Sequence, residues 1–92
     1  MPRLNISSGG PFEPVYGYSR AVRVGNQVHV SGTTARPPDD EKDCYGQSIA
    51  VLKIVGKALE DAGASFKDVV RTVVYVTDMA DADKVARAHR EV

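Results

Sequence analysis

Residues 69–76 read VVRTVVYV. Val69 and Val73 fall on one phase of a strand's alternation and Val70, Val74 and Val76 on the other, so β-branched side chains occupy both faces. A strand wetted on one side alternates apolar and polar residues, whereas one that is apolar on both sides is suited to cover from above and below. Fully burying one valine or leucine side chain contributes roughly 1.5–3 kcal/mol, so cover on either face is a large share of a small domain's stability. The segment is predicted to be a strand buried from both sides, and the architecture follows from what can cover it.

On its N-terminal side, Ile49, Leu52, Val55, Leu59 and Ala62 recur at helical spacing, widened by Val51, Ile54 and Ala58, which predicts a helix over about 45–62. Asp43 is placed to cap its start, and Gly63 to end it, because glycine accepts the left-handed conformation found at helix C-termini. On the C-terminal side, residues 81–92 have helical composition, with Ala82, Val85, Ala86 and His89 along one side and Asp78 or Asp81 available as caps. Farther upstream, Val22 and Val24 alternate with Arg23, Gly25-Asn26 turns the chain, and Val28 and Val30 alternate with His29, the pattern of a hairpin within 18–35. Between them RPPDDEKD, residues 36–43, reads as a loop, since two prolines withhold backbone donors and the acidic side chains favour water. The order is β-β-α-β-α. Two helices can cover one face of the sheet and nothing else in the chain covers the other, so an oligomer is expected to bury it.

The 92 residues suffice for one small domain, 1–92, or part of one. Lys+Arg 12 balance Asp+Glu 12, which argues against an electrostatic nucleic-acid footprint and against a membrane-surface anchor. The single cysteine, Cys44, excludes an internal disulfide, MPRLNISSGG lacks the apolar core of a secretory signal, and no apolar run approaches membrane-spanning length. The expected compartment is the cytoplasm. His29 and His89 have no partners at ligand or triad spacing, so neither a metal site nor a nucleophilic triad is read. Cys44 reads as an inert thiol, Gly56 as a place of close packing, and Arg20, Arg23 and Arg71 as solvated strand faces or intersubunit ion pairs, with Arg20 also near Tyr18 and able to bind an anion.

The stretch YSRAVRVGNQVHVSGTTA (18–35), followed by LEDAGASFKDVVRTVVYVTDM (59–79), resembles the Rid family, the YjgF-like reactive-intermediate deaminases also labelled L-PSP endoribonucleases. The resemblance covers about residues 17–92. It implies an α+β fold of the chorismate-mutase-like type, a mixed sheet with two helices packed on one face, assembled as a barrel-type homotrimer with ligand pockets between subunits. No metal or cofactor is implied. The family's strand after the hairpin ends in Ser-Gly beside the pocket, here Ser31 and Gly32, with Thr33 following, and Tyr18 matches a tyrosine lining it. Arg20 stands where the family usually has glutamine, close enough to Tyr18 to meet an anion. The expected substrate-binding set is therefore Tyr18, Arg20, Ser31, Gly32 and Thr33.

The reaction implied is hydrolysis of an enamine or imine such as 2-aminoacrylate to a keto acid and ammonia. It needs a cation for the substrate carboxylate, a polar group that orients water against the imine carbon, and a shaped pocket. The family's anchoring arginine and water-positioning glutamate lie on strands after the second helix, beyond residue 92, so the domain is expected to lack its usual C-terminal strands and the catalytic residues are left unassigned. Ala86 stands where the family often has a pocket asparagine, and YGYSRA…SGTTA is similar to divergent branches of the family. A trimer that binds a small carboxylate without turnover is the alternative. The endoribonuclease or translation-inhibitor role in one family label fits poorly with zero net charge and few aromatics for stacking.

Overall fold

The hairpin forms where the alternation places it. In the computed structural model, which describes residues 2–92 and so leaves residue 1 of the expected domain outside, β1 (Arg3–Ile6), β2 (Ala21–Val24) and β3 (Gln27–Val30) form one antiparallel sheet in the order β1-β2-β3. Val24 faces Gln27 and Ala21 faces Val30 across the Gly25-Asn26 connection. Gly25 takes φ 58°, the left-handed value that a two-residue hairpin demands at its first central position, whereas Asn26 does not need one.

β1 is a strand that the alternation does not announce. Its four residues, RLNI, hold only two apolar side chains, and its place is set by its neighbour: Ile6 lies opposite Ala21, and its carbonyl accepts the Arg20 N–H at 2.8 Å. A single helical turn, α1 (Glu13–Tyr16), connects β1 to β2.

Helix α2 (Cys44–Asp61) begins at the predicted cap, where Asp43 Oδ1 accepts the Gly46 N–H at 2.9 Å, and the chain leaves it through Gly63 at φ 84°. Ala58 and Ala62 lie against Ile6 and Ala21, with Val28 and Val30 packed around them; the small side chains let helix and sheet approach closely. Arg23 is not a solvated strand residue. Its Nη1 donates to the Ala62 carbonyl at 2.7 Å, a cation at the negative end of α2. Helix α3 (Ala82–Glu91) packs on α2, and its buried residue is Ala88, while Ala86 and His89 of the expected stripe are exposed. The Arg87 guanidinium lies 3.7 Å from the Tyr45 ring centroid, and the Tyr45 hydroxyl donates to Glu91, which joins the two helices.

Two expectations are corrected within this α+β architecture. Both ladders of the sheet are antiparallel, so the described sheet is not mixed, and its third strand is β1. Residues 69–76 belong to no ladder: Val70 is fully exposed and Tyr75 is 92% exposed. A strand needs neighbours for its N–H and C=O groups. β2 already has one on each side, and among the described residues neither outer strand pairs with 69–76. The order in this chain is thus β-α-β-β-α-α. No helix among the described residues is long and apolar enough to cross a membrane.

Candidate functional site

Segment 18–33 converges on Arg20. The neighbouring Ala21 sits in the core beneath α2, and strand alternation turns Arg20 to the opposite side, where it retains only 5% exposure. Its Nη1 donates to the Gly32 carbonyl at 2.6 Å and to Thr33 Oγ1 at 2.8 Å, with the Ser31 carbonyl at 3.5 Å. Its Nη2 donates to the Tyr18 hydroxyl at 3.2 Å, and the guanidinium carbon stands 5.3 Å from the Tyr18 ring centroid. The Nε is buried without a partner.

Following the protons shows what this cluster can offer. Ser31 Oγ donates to the Ser19 carbonyl at 2.7 Å, and Thr33 Oγ1 donates to the Ser31 carbonyl at 2.9 Å, so both hydroxyl protons are committed within the chain. Tyr18 instead accepts from Arg20, which leaves its own proton for an outside acceptor. Gly32 is exposed, a Cβ there would meet nothing within 4 Å, and its φ is not left-handed, so neither packing nor backbone geometry in this chain requires glycine. All five sequence-predicted residues are thus brought together, two of them with committed hydroxyl protons.

Four of these residues, Tyr18, Arg20, Gly32 and Thr33, border a cavity of about 70 Å³ whose remaining wall includes Gly10, Phe12, Thr34 and Arg36, while Ser31 lies outside its lining. That wall escaped the sequence reading. Arg36 Nη1 donates to the Ser8 carbonyl at 3.1 Å and Nη2 to Ser8 Oγ at 2.5 Å. Ser8 Oγ in turn donates to Glu13 Oε2 at 2.8 Å, and the same oxygen accepts the Gly10 N–H at 2.9 Å and the Ser8 N–H at 3.2 Å. Burial is the largest single influence on the Glu13 carboxyl and pushes it up. Together the Ser8 hydroxyl, the Gly10 amide, the nearby Ser7 hydroxyl and the Ser8 amide outweigh it and bring the group from 4.5 down to about 2. A Cβ on Gly10 would stand 2.8 Å from Glu13 Oε2 and 3.0 Å from Arg36 Nη2, so any larger residue displaces the ends of both side chains. Among the described residues neither Arg20 nor Arg36 has a carboxylate oxygen within 4.0 Å.

A larger concavity of about 680 Å³ shares Gly10 and Tyr18 with this cavity and runs past Arg3, Asn5 and Ser7. It holds no buried cation, since Arg3 is exposed, so the smaller cavity has the stronger binding chemistry. No group of three or more His, Cys, Asp or Glu side chains among the described residues is placed to hold a metal ion.

Comparison with known proteins locates the chain. The family model described as Endoribonuclease L-PSP matches residues 10–92. An uncharacterized protein of Streptomyces coelicolor is 37% identical over 90 residues, which cover 95% of this chain and 67% of the relative. The 2-iminobutanoate/2-iminopropanoate deaminase of Mus musculus is 34% identical over 68 residues, covering 70% of this chain and 50% of that protein. The crystal structure of a Mycobacterium tuberculosis member of the YjgF/YER057c/UK114 family superposes with TM-score 0.89 at 43% identity, over 98% of this chain and 73% of that one. The chain therefore spans between half and about three quarters of the length of these proteins.

Proposed function

From the premise that the chain belongs to the endoribonuclease L-PSP family, we propose that it takes part in hydrolysing small enamine or imine acids of the 2-aminoacrylate type to keto acids and ammonia. Its pockets would be completed between the subunits of a homotrimer. One observation carries the reading: a nearly buried guanidinium, Arg20, gathers Tyr18, Gly32 and Thr33 beside one cavity. The name of the mouse relative supports the substrate class.

The chemistry assigns each residue a part. Positive potential from Arg20 draws the substrate carboxylate toward the cavity, although its Nη1 is already engaged, so Arg20 acts first as a positioning residue for Tyr18 and the 31–33 segment. The Tyr18 hydroxyl, held by Arg20, has the proton able to orient water or meet the imine nitrogen. Gly32 leaves space at the backbone. 2-Aminoacrylate first takes its imine form as a proton moves from nitrogen to the terminal carbon; water oxygen then bonds to the imine carbon, the C–N bond breaks as the carbonyl forms, and nitrogen leaves as ammonia with both protons of the water.

The test is keto-acid release from 2-aminoacrylate generated in a coupled assay. Release accelerated by the protein, slowed about a hundredfold by Tyr18→Phe and slowed by Gly32→Val without a fall in Tm, supports the reading. No acceleration by the wild-type protein overturns it. The committed Ser31 and Thr33 hydroxyl protons favour a second reading, binding of a small carboxylate without turnover, which would give thermal stabilisation by pyruvate with no product formed from the enamine.

A further inference from the structure

Two guanidinium groups border one small cavity, and neither has a carboxylate partner within 4.0 Å among the described residues. Arg36 reaches its nearest counter-charge, the Glu13 carboxylate, only through the Ser8 hydroxyl, so its remaining donors are free to meet an anion in the cavity. The two arginines are not equivalent. Arg20 engages both terminal nitrogens within the chain. Arg36 uses one N–H from each terminal nitrogen, both toward Ser8, and a guanidinium carries five donors, so three remain. Ser8 is itself held by Glu13, which fixes the orientation of the Arg36 fork. On the same wall Phe12 is 60% exposed and pairs with Tyr16, itself 76% exposed, at 6.2 Å between ring centroids. An exposed aromatic pair beside two cations suits a ligand with a carboxylate at one end and apolar carbon at the other.

Building on the pocket assigned above, we infer that Arg36 is the carboxylate-binding residue of this cavity and that Phe12 receives the ligand's apolar side chain, so the site prefers 2-oxo and 2-imino monocarboxylates with an apolar or aromatic side chain to pyruvate-sized ones. The cavity of about 70 Å³ accommodates the carboxylate end, and the remainder of the ligand extends along Phe12.

Calorimetric titration of the full chain with phenylpyruvate and with pyruvate tests this without any turnover. Phenylpyruvate binds more tightly than pyruvate. Arg36→Gln weakens phenylpyruvate by about tenfold to a hundredfold, the range for a charge-assisted hydrogen bond. Phe12→Ala removes the preference between the two acids, and Lys53→Gln, on the exposed face of α2, changes neither affinity. Should Arg36→Gln lose its near-ultraviolet dichroism, the side-chain Nε–H resonance of Arg36 in the wild-type protein gives the answer: a shift that saturates with phenylpyruvate supports the assignment. No binding of either acid, equal affinity in a folded Arg36→Gln, or an unmoved Arg36 resonance overturns it. Turnover of 2-aminoacrylate that is indifferent to Arg36→Gln would refute this inference and leave the hydrolase reading standing; phenylpyruvate binding without turnover would do the reverse.

Discussion

Glu13 is a carboxylate kept ionised under cover, with one of its oxygens accepting three N–H or O–H donors from Ser8 and Gly10. Because its folded value lies near 2, below the ordinary 4.5, the native state favours the charged form. The stabilisation is therefore complete above 4.5 and is lost as pH falls toward about 2. Glu13→Gln is expected to lower Tm at neutral pH, and the gap from wild type should close on acidification through that window. A gap that stays constant in thermal scans would mean that shape, not charge, holds the Ser8–Gly10 turn. At this scale the sequence was informative wherever partners are close along the chain. Tyr18, Arg20 and the 31–33 segment lie in one hairpin motif and were grouped by its resemblance to the Rid family, whereas Arg36 and Ser8 meet across 28 positions, and no local pattern reports such a contact.

The interior of α2 contains a glycine, which costs about 1 kcal/mol relative to alanine, and the Phe66 ring explains its tolerance. A Cβ on Gly56 would stand 2.8 Å from Phe66 Cζ and 2.9 Å from Cε2. Gly56→Ala thus gains helix propensity and displaces the ring. In a Phe66→Ala background only the gain remains, about 1 kcal/mol. Denaturant unfolding of the four proteins should give a coupling of about 1 kcal/mol between the sites; identical effects of Gly56→Ala in both backgrounds would remove the ring from its seat. Long periodic elements such as α2 were legible to within a residue or so, because many positions repeat the same signal and Asp43 and Gly63 mark the ends. β1 was not, since two apolar residues make no period and its position depends on pairing with β2. The 69–76 segment shows the converse: a strong local β pattern does not become a strand without a neighbour.

At the scale of the molecule, that unpaired pattern is the largest outstanding demand on the fold. Val69, Val70, Val73, Val74 and Tyr75 are 39%, 100%, 57%, 53% and 92% exposed, an apolar run of the kind that marks an interaction surface. The two outer strands, β1 and β3, are edges as well. With roughly 1.5–3 kcal/mol available per fully buried valine, association that covers both phases of the run can contribute more than any single contact within the chain. A homotrimer, the assembly we propose, is expected to give a solution molar mass about three times that of the 9.9 kDa chain. In it, the amides of 69–76 should be protected from hydrogen exchange. Val70→Asp and Val73→Asp place a charge on opposite phases of the run, so both should lower the molar mass and Tm if each face is covered. An effect from only one of them would mean that a single face is buried. A stable monomer whose 69–76 amides exchange freely would leave the valines in water and remove the basis for pockets between subunits.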